Sequence, residues 1–170
     1  MSARRASVAG LLLALVTHAA AADTVGFDRF VRYLGPLCNE AASTLCFEAA
    51  FAHVDSDGDR TLTVAELERV RGDLRAWSSE AGPSLPPAER NGIALGLWVV
   101  DTVGLAPLVA AYDVDGDGRL TPAEMTADVR LDDRRLAAVV RDPDSVDWAS
   151  LRQRFGLLAG LLDPLAPPGR

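Results

Sequence analysis

Eight carboxylates in this sequence stand at spacings that could gather oxygen ligands around a metal ion. Asp113, Asp115, Asp117 and Glu124 occupy positions one, three, five and twelve of D-V-D-G-D-G-R-L-T-P-A-E. Asp55, Asp57, Asp59 and Glu66 occupy the same positions of D-S-D-G-D-R-T-L-T-V-A-E. A donor set built from carboxylates suits a hard cation, and Ca²⁺ takes about six to eight oxygens at roughly 2.3–2.6 Å. The position-seven residues, Thr61 and Arg119, would add their backbone carbonyls, and the position-nine residues, Thr63 and Thr121, a water-mediated contact. One acidic loop could be coincidence. Two with the same spacing argue for calcium binding.

The loops differ at position six, where the chain must bend sharply. Gly118 fills it in the second loop and Arg60 in the first. A left-handed backbone costs a residue with a side chain roughly 1–2 kcal/mol, and about 1.4 kcal/mol corresponds to a tenfold change in affinity. The first loop therefore reads as weakened rather than lost, and the second as the stronger of two calcium sites.

Helices must hold these loops. Phe47, Phe51 and Val54 share one face of an entering helix over 43–54, and Thr63 with Glu66 forms a capping box that starts an exiting helix. That helix is expected to reach Trp77 through Leu67, Val70 and Leu74. Upstream, Phe27, Phe30, Val31 and Leu34 predict a short amphipathic helix that Gly35-Pro36 ends. His53, one turn before the first loop, reads as a packed or solvated side chain. Leu62 and Leu120, at position eight of each loop, are expected in the core. Residues 78–92 carry a Gly, Pro and Ser loop signal, with Pro86 and Pro87 able to begin a helix.

The run from Ile93 to Ala111 is very apolar, interrupted by Asp101, Gly104 and Pro107. A buried pair of helices broken near Gly104 is preferred, because Asp101 at mid-membrane would cost about 2.5–3.5 kcal/mol or more; membrane association stays as the alternative. Leu108, Val109 and Tyr112 would then face the partner unit, and Thr121-Pro122-Ala123-Glu124 starts the second exit. The insertion between the loops thus covers about 78–104. Further on, Leu136, Val139 and Val140 suggest a helix stopped by Asp142-Pro143. Val146 to Leu151 then echoes the loop exits, with Asp147 as a cap and Ser150 where the closing glutamate would stand. A degenerate third unit over 133–162 and a plain capped helix carrying Trp148, Leu151, Phe155 and Leu158 are both open. Gly156 and Gly160 resemble a small-residue packing motif, and Pro164, Pro167 and Pro168 mark a frayed tail.

Arg4 and Arg5 before the apolar run Val8 to Val16, with alanines 19–22 after it, make a secretory signal peptide over 1–22. That leaves one domain over 23–170, exported to a periplasmic or extracellular space. The formal charge is −7 and every basic residue is arginine. An acidic chain argues against nucleic-acid binding, which needs a basic face. Cys38 and Cys46 are the only cysteines, and export favours a disulfide between them. On one continuous helix they would lie about 12 Å apart, so the bridge requires a break near Asn39–Ser43. Free thiols are the alternative.

The two loops and their flanking helices resemble the EF-hand family, in its secreted or periplasmic bacterial form. The resemblance implies an all-α fold of paired helix-loop-helix units, with Leu62 and Leu120 joined in a short two-stranded contact and Ca²⁺ as the bound ion. A structural, buffering or partner-modulating protein is expected, with a calcium sensor that opens an apolar groove to a protein partner as the alternative. Met125 is the only methionine beyond Met1, which weakens a broad sensor groove. No nucleophile-base set, H-E-x-x-H or C-x-x-C is present, so no catalytic site is expected.

Overall fold

The computed structural model describes residues 22–156 and shows an all-α fold with one very short antiparallel ribbon. The expected leader, including Arg4, Arg5 and Val8 to Val16, lies outside the described residues, as do Leu158, Gly160 and Pro164, Pro167 and Pro168 of the tail.

Helix α1 covers Thr24–Glu40, capped by the Asp23 carboxylate, which accepts the Gly26 amide at 2.8 Å. It runs through Gly35-Pro36 rather than ending there. Proline inside a helix removes a hydrogen bond at a cost of about 3 kcal/mol. Here α1 packs along α2 (Ser43–Val54) and α3 (Val64–Ala81), and Cys38 is bonded to Cys46, so the last turn is held from outside. The expected break falls at Ala41 and Ala42, whose extended backbones bring the two cysteine Cα atoms to 4.8 Å.

Two-residue strands β1 (Leu62–Thr63) and β2 (Arg119–Leu120) pair with Leu62 opposite Leu120 and Thr63 opposite Arg119. Leu62 is fully buried and, with Phe51, Val109 and Leu120, makes the core. Phe47, Val54, Leu67, Tyr112 and Met125 pack around it. The core therefore lies directly behind both acidic loops. Helix α3 continues one turn past Trp77 to Ala81, followed by a 3₁₀ turn over Gly82–Ser84.

Helix α4 (Pro87–Val103) and helix α5 (Leu105–Tyr112) are broken at Gly104, whose φ of 85° suits glycine, and they bend by 85°. The expected burial is found only in α5, whose Val109 lies in the core: α4 contributes no buried residue, and Leu95 and Trp98 are about half exposed. Asp101, read as an obstacle to membrane insertion, instead accepts hydrogen bonds from Arg71 and Arg75 of α3. No single helix among the described residues is long and apolar enough to cross a membrane.

The second exit also departs from expectation. Helix α6 (Pro122–Met125) lasts one turn, although the Thr121–Glu124 capping box is complete. The chain then leaves the helix because distant partners take its backbone and Asp128. The Arg130 amide donates to the Ser145 carbonyl at 2.7 Å, and the Asp147 amide to the Asp128 carbonyl at 2.8 Å. The buried Asp128 carboxylate meets Arg154 at 3.1 Å. Helices α7 (Leu136–Arg141) and α8 (Trp148–Phe155) follow, the latter capped by Asp147. Val146 bridges Val129, and residues 133–156 gather no third acidic cluster. Arg154 donates to the Ala111 carbonyl and lies over the Tyr112 ring, so α8 docks beside the second loop.

At the other end His53 stacks on Phe30 with ring centroids 3.7 Å apart, beside Phe27 and Trp77. Burial, helped by the Arg69 charge and opposed by Asp73 and Asp23, pushes its pKa below 6.5. The unfolded chain then binds a proton that the folded chain refuses. This share of the stability is complete above the unfolded value and is lost as pH falls through 6.5 toward the folded value. Urea melts in chelator from pH 7.5 to 5 should show that loss in the native chain and less of it in His53→Phe.

Candidate metal centres

Each acidic loop is folded around the carboxylate of its first aspartate. In the first, Asp55 Oδ1 accepts the Gly58 and Asp59 amides at 2.8 and 3.2 Å, and Oδ2 accepts the Arg60 amide at 3.0 Å. In the second, Asp113 Oδ1 accepts the Gly116 and Asp117 amides at 2.7 and 3.1 Å, and Oδ2 the Gly118 amide at 2.8 Å. Three successive amides converge on one carboxylate and wind the loop around it. The winding brings carboxylate oxygens of Asp55, Asp57 and Asp59 within 4.8 Å of one another, and does the same for Asp113, Asp115 and Asp117.

The two glutamates close back on their own loops. Glu66 Oε1 accepts the Ser56 amide and hydroxyl (2.8 and 3.0 Å), and Oε2 accepts the Thr63 amide and hydroxyl (both 2.9 Å). Burial pushes its pKa up, but these bonds from Thr63 and Ser56 outweigh it and bring it down to about 2. Glu124 Oε1 accepts the Val114 amide, and Oε2 the Thr121 amide and hydroxyl, all at 2.8 Å. The Thr121 and Val114 amides hold its carboxyl below the usual range. Val114 has no hydroxyl to match that of Ser56. The Asp115 amide also bonds Glu124, so each glutamate is held by its own loop, Glu66 with a second hydroxyl in place of that amide.

Thr63 and Thr121 use their hydroxyls in capping boxes, facing Glu66 and Glu124. Thr61 and Arg119, chosen from sequence for their carbonyls, also act through their side chains. The Thr61 hydroxyl donates to Asp59 Oδ1 at 2.7 Å. The Arg119 guanidinium crosses from the second loop to Asp59 Oδ2 and to the Thr61 hydroxyl, the latter at 3.0 Å. Sequence reasoning missed this crossing. Its only signal is the difference between a long cation and a short hydroxyl at position seven.

All the donors in both loops are oxygens, and the closest groupings contain neither sulfur nor imidazole. Such a set fits a hard cation better than a soft one. Both loops are thus shaped alike and differ chemically at three places: position two, position six and the crossing at position seven.

Position six can be tested by itself. Arg60 has φ 67°, the only positive value on a non-glycine residue among those described. Its guanidinium reaches Glu48 at 2.9 Å on the surface, where an exposed pair contributes little. Comparing Arg60→Gly with Arg60→Ala removes that pair from both and leaves the backbone difference. The glycine variant should be the more stable of the two by about 1 kcal/mol in denaturant melts under chelator; equal midpoints would contradict a strained position six. No family model matches this chain, and no curated protein or solved structure matches it either, so its function must be read from the site itself.

Proposed function

We propose that the chain is an exported calcium-binding protein whose two acidic loops belong to paired EF-hand units, each holding one Ca²⁺ ion. The observation carrying this reading is that both loops wind alike around their first aspartates while Leu62 and Leu120 join them back to back. Asp55, Asp57, Asp59 and Glu66 would bind one ion with the Thr61 carbonyl. Asp113, Asp115, Asp117 and Glu124 would bind the other with the Arg119 carbonyl. Three aspartate oxygens, one carbonyl and two glutamate oxygens per loop reach the lower end of the usual calcium shell. For the glutamates this requires giving up some of the hydrogen bonds that now hold them. The Cys38–Cys46 pair supports an oxidising compartment outside the cytoplasm, where modules of this kind bind at about 10⁻⁴–10⁻³ M.

The second loop is the tighter site in this reading. It has glycine at position six, where the first loop strains Arg60, and none of its aspartates is held by an arginine from the other loop as Asp59 is. A role in holding the fold or buffering calcium is favoured by the scarcity of methionine, Met125 being the only one beyond Met1, which disfavours a broad adaptable groove. A partner-binding role draws support from the exposed apolar helix α4. A groove of about 500 Å³ runs between it and the end of α3, lined by Pro83, Leu85, Ile93, Ala94 and Leu97. A hydrophobic dye whose fluorescence rises with calcium would favour the second role, and a calcium-insensitive dye signal the first.

Calcium calorimetry tests the reading and the order together. Two binding events are expected, with Asp113→Ala abolishing the tighter and Asp55→Ala the weaker. If Asp113→Ala leaves the tighter event intact, the order is wrong. If the native chain shows no binding, so is the function.

A further inference from the structure

Arg119 belongs to both loops at once. Its backbone lies in β2, paired with Thr63, and its carbonyl occupies position seven of the second loop. Its guanidinium leaves that loop and donates to Asp59 Oδ2 and to the Thr61 hydroxyl at 3.0 Å. Asp59 is the position-five carboxylate of the first loop, and its other oxygen already accepts the Thr61 amide and hydroxyl at 2.8 and 2.7 Å. Both oxygens of this one aspartate are therefore engaged. The matching aspartate of the second loop, Asp117, accepts the Arg119 amide at 2.8 Å. Thr61, which stands in the first loop where Arg119 stands in the second, is too short to return the contact.

Resting on the calcium reading above, we propose that Arg119 is an internal counter-cation. Its charge sets the affinity of the first loop, and its backbone couples that loop to the second. Before an ion arrives, the guanidinium offsets the mutual repulsion of Asp55, Asp57 and Asp59. An ion entering the first loop meets a positive charge already bonded to one of its ligands. The two must share Asp59, or Arg119 must let go. An ion entering the second loop fixes the Arg119 carbonyl, and with it the strand from which the guanidinium reaches across. The contact runs one way in structure, yet any coupling it produces acts equally on both affinities. It also makes the first loop the weaker site independently of Arg60, whose guanidinium turns away to Glu48.

The experiment is calcium chloride calorimetry on the full chain and on Arg119→Gln, Arg119→Ala and Arg119→Lys, each checked for native helicity by circular dichroism. A single positive charge about 6 Å from a dication in a mostly aqueous setting predicts that Arg119→Gln tightens the weaker event about three- to tenfold. The tighter event should stay within about twofold, because the carbonyl remains. Arg119→Ala reports the same loss of charge should the glutamine variant fold poorly, and Arg119→Lys should stay near the native chain. An unchanged or weaker second event in the neutral variants overturns the proposal, as does a lysine variant that behaves like them. Absence of binding in the native chain would sink the calcium reading itself, a different result from two native events that ignore Arg119.

Discussion

The pairing of Leu62 with Leu120 ties the two acidic loops to each other and to the core behind them. Two residues from each loop form the ribbon, and both leucines are removed from water behind it. Burying a leucine side chain fully contributes about 1.5–3 kcal/mol, so a ribbon too short to stand alone is held by what lies beneath. The same leucines touch the helices that enter each loop, through Phe51 and Val109. The loops cannot move apart without opening the core. The register also decides which position-seven side chain faces which loop, and so brings Arg119 to Asp59.

Around this centre the two halves are built unequally. The first loop exits into the 18-residue helix α3, which packs against α1. There Trp77 lies against Phe27 and donates its indole N–H to Asp28 at 3.1 Å. The second exits into one turn and depends on α8 for support, through Arg154 bonding to Ala111, Asp128 and Tyr112. Burial and the neighbouring Asp128 push the Tyr112 hydroxyl well above its usual pKa, so the ring beneath the Arg154 cation stays neutral. The cation from α8 and the buried carboxylate replace the helical turns that α6 lacks.

Much of this was legible in the sequence where the governing interactions are local. The clustering of the loop aspartates, the helix at 43–54, both capping boxes and the break before Cys46 each depend on residues a few positions apart. Arg60 at a glycine position correctly announced a left-handed backbone. Pro36 misled, since the disulfide and the packing of α1 override a local breaker. The apolar run after Ile93 predicted burial, but hydrophobicity does not say which neighbour is present to bury against, and α4 meets only part of α3 and α5. The short α6 and the crossing of Arg119 depend on partners 26 residues (Arg154 to Asp128) and 60 residues (Arg119 to Asp59) away. Local pattern carries no trace of such contacts.

In the proposed function each loop, wound around its first aspartate, receives one calcium ion. The amides of Arg60 and Gly118 are the natural reporters, because each donates to the outer oxygen of that aspartate and a dication on the carboxylate would polarise the bond. A calcium titration followed by ¹H–¹⁵N correlation spectroscopy should move the Gly118 amide first and the Arg60 amide at higher calcium, each by the largest shift in its loop. Both amides staying in place while calcium is added would mean that neither loop takes the ion.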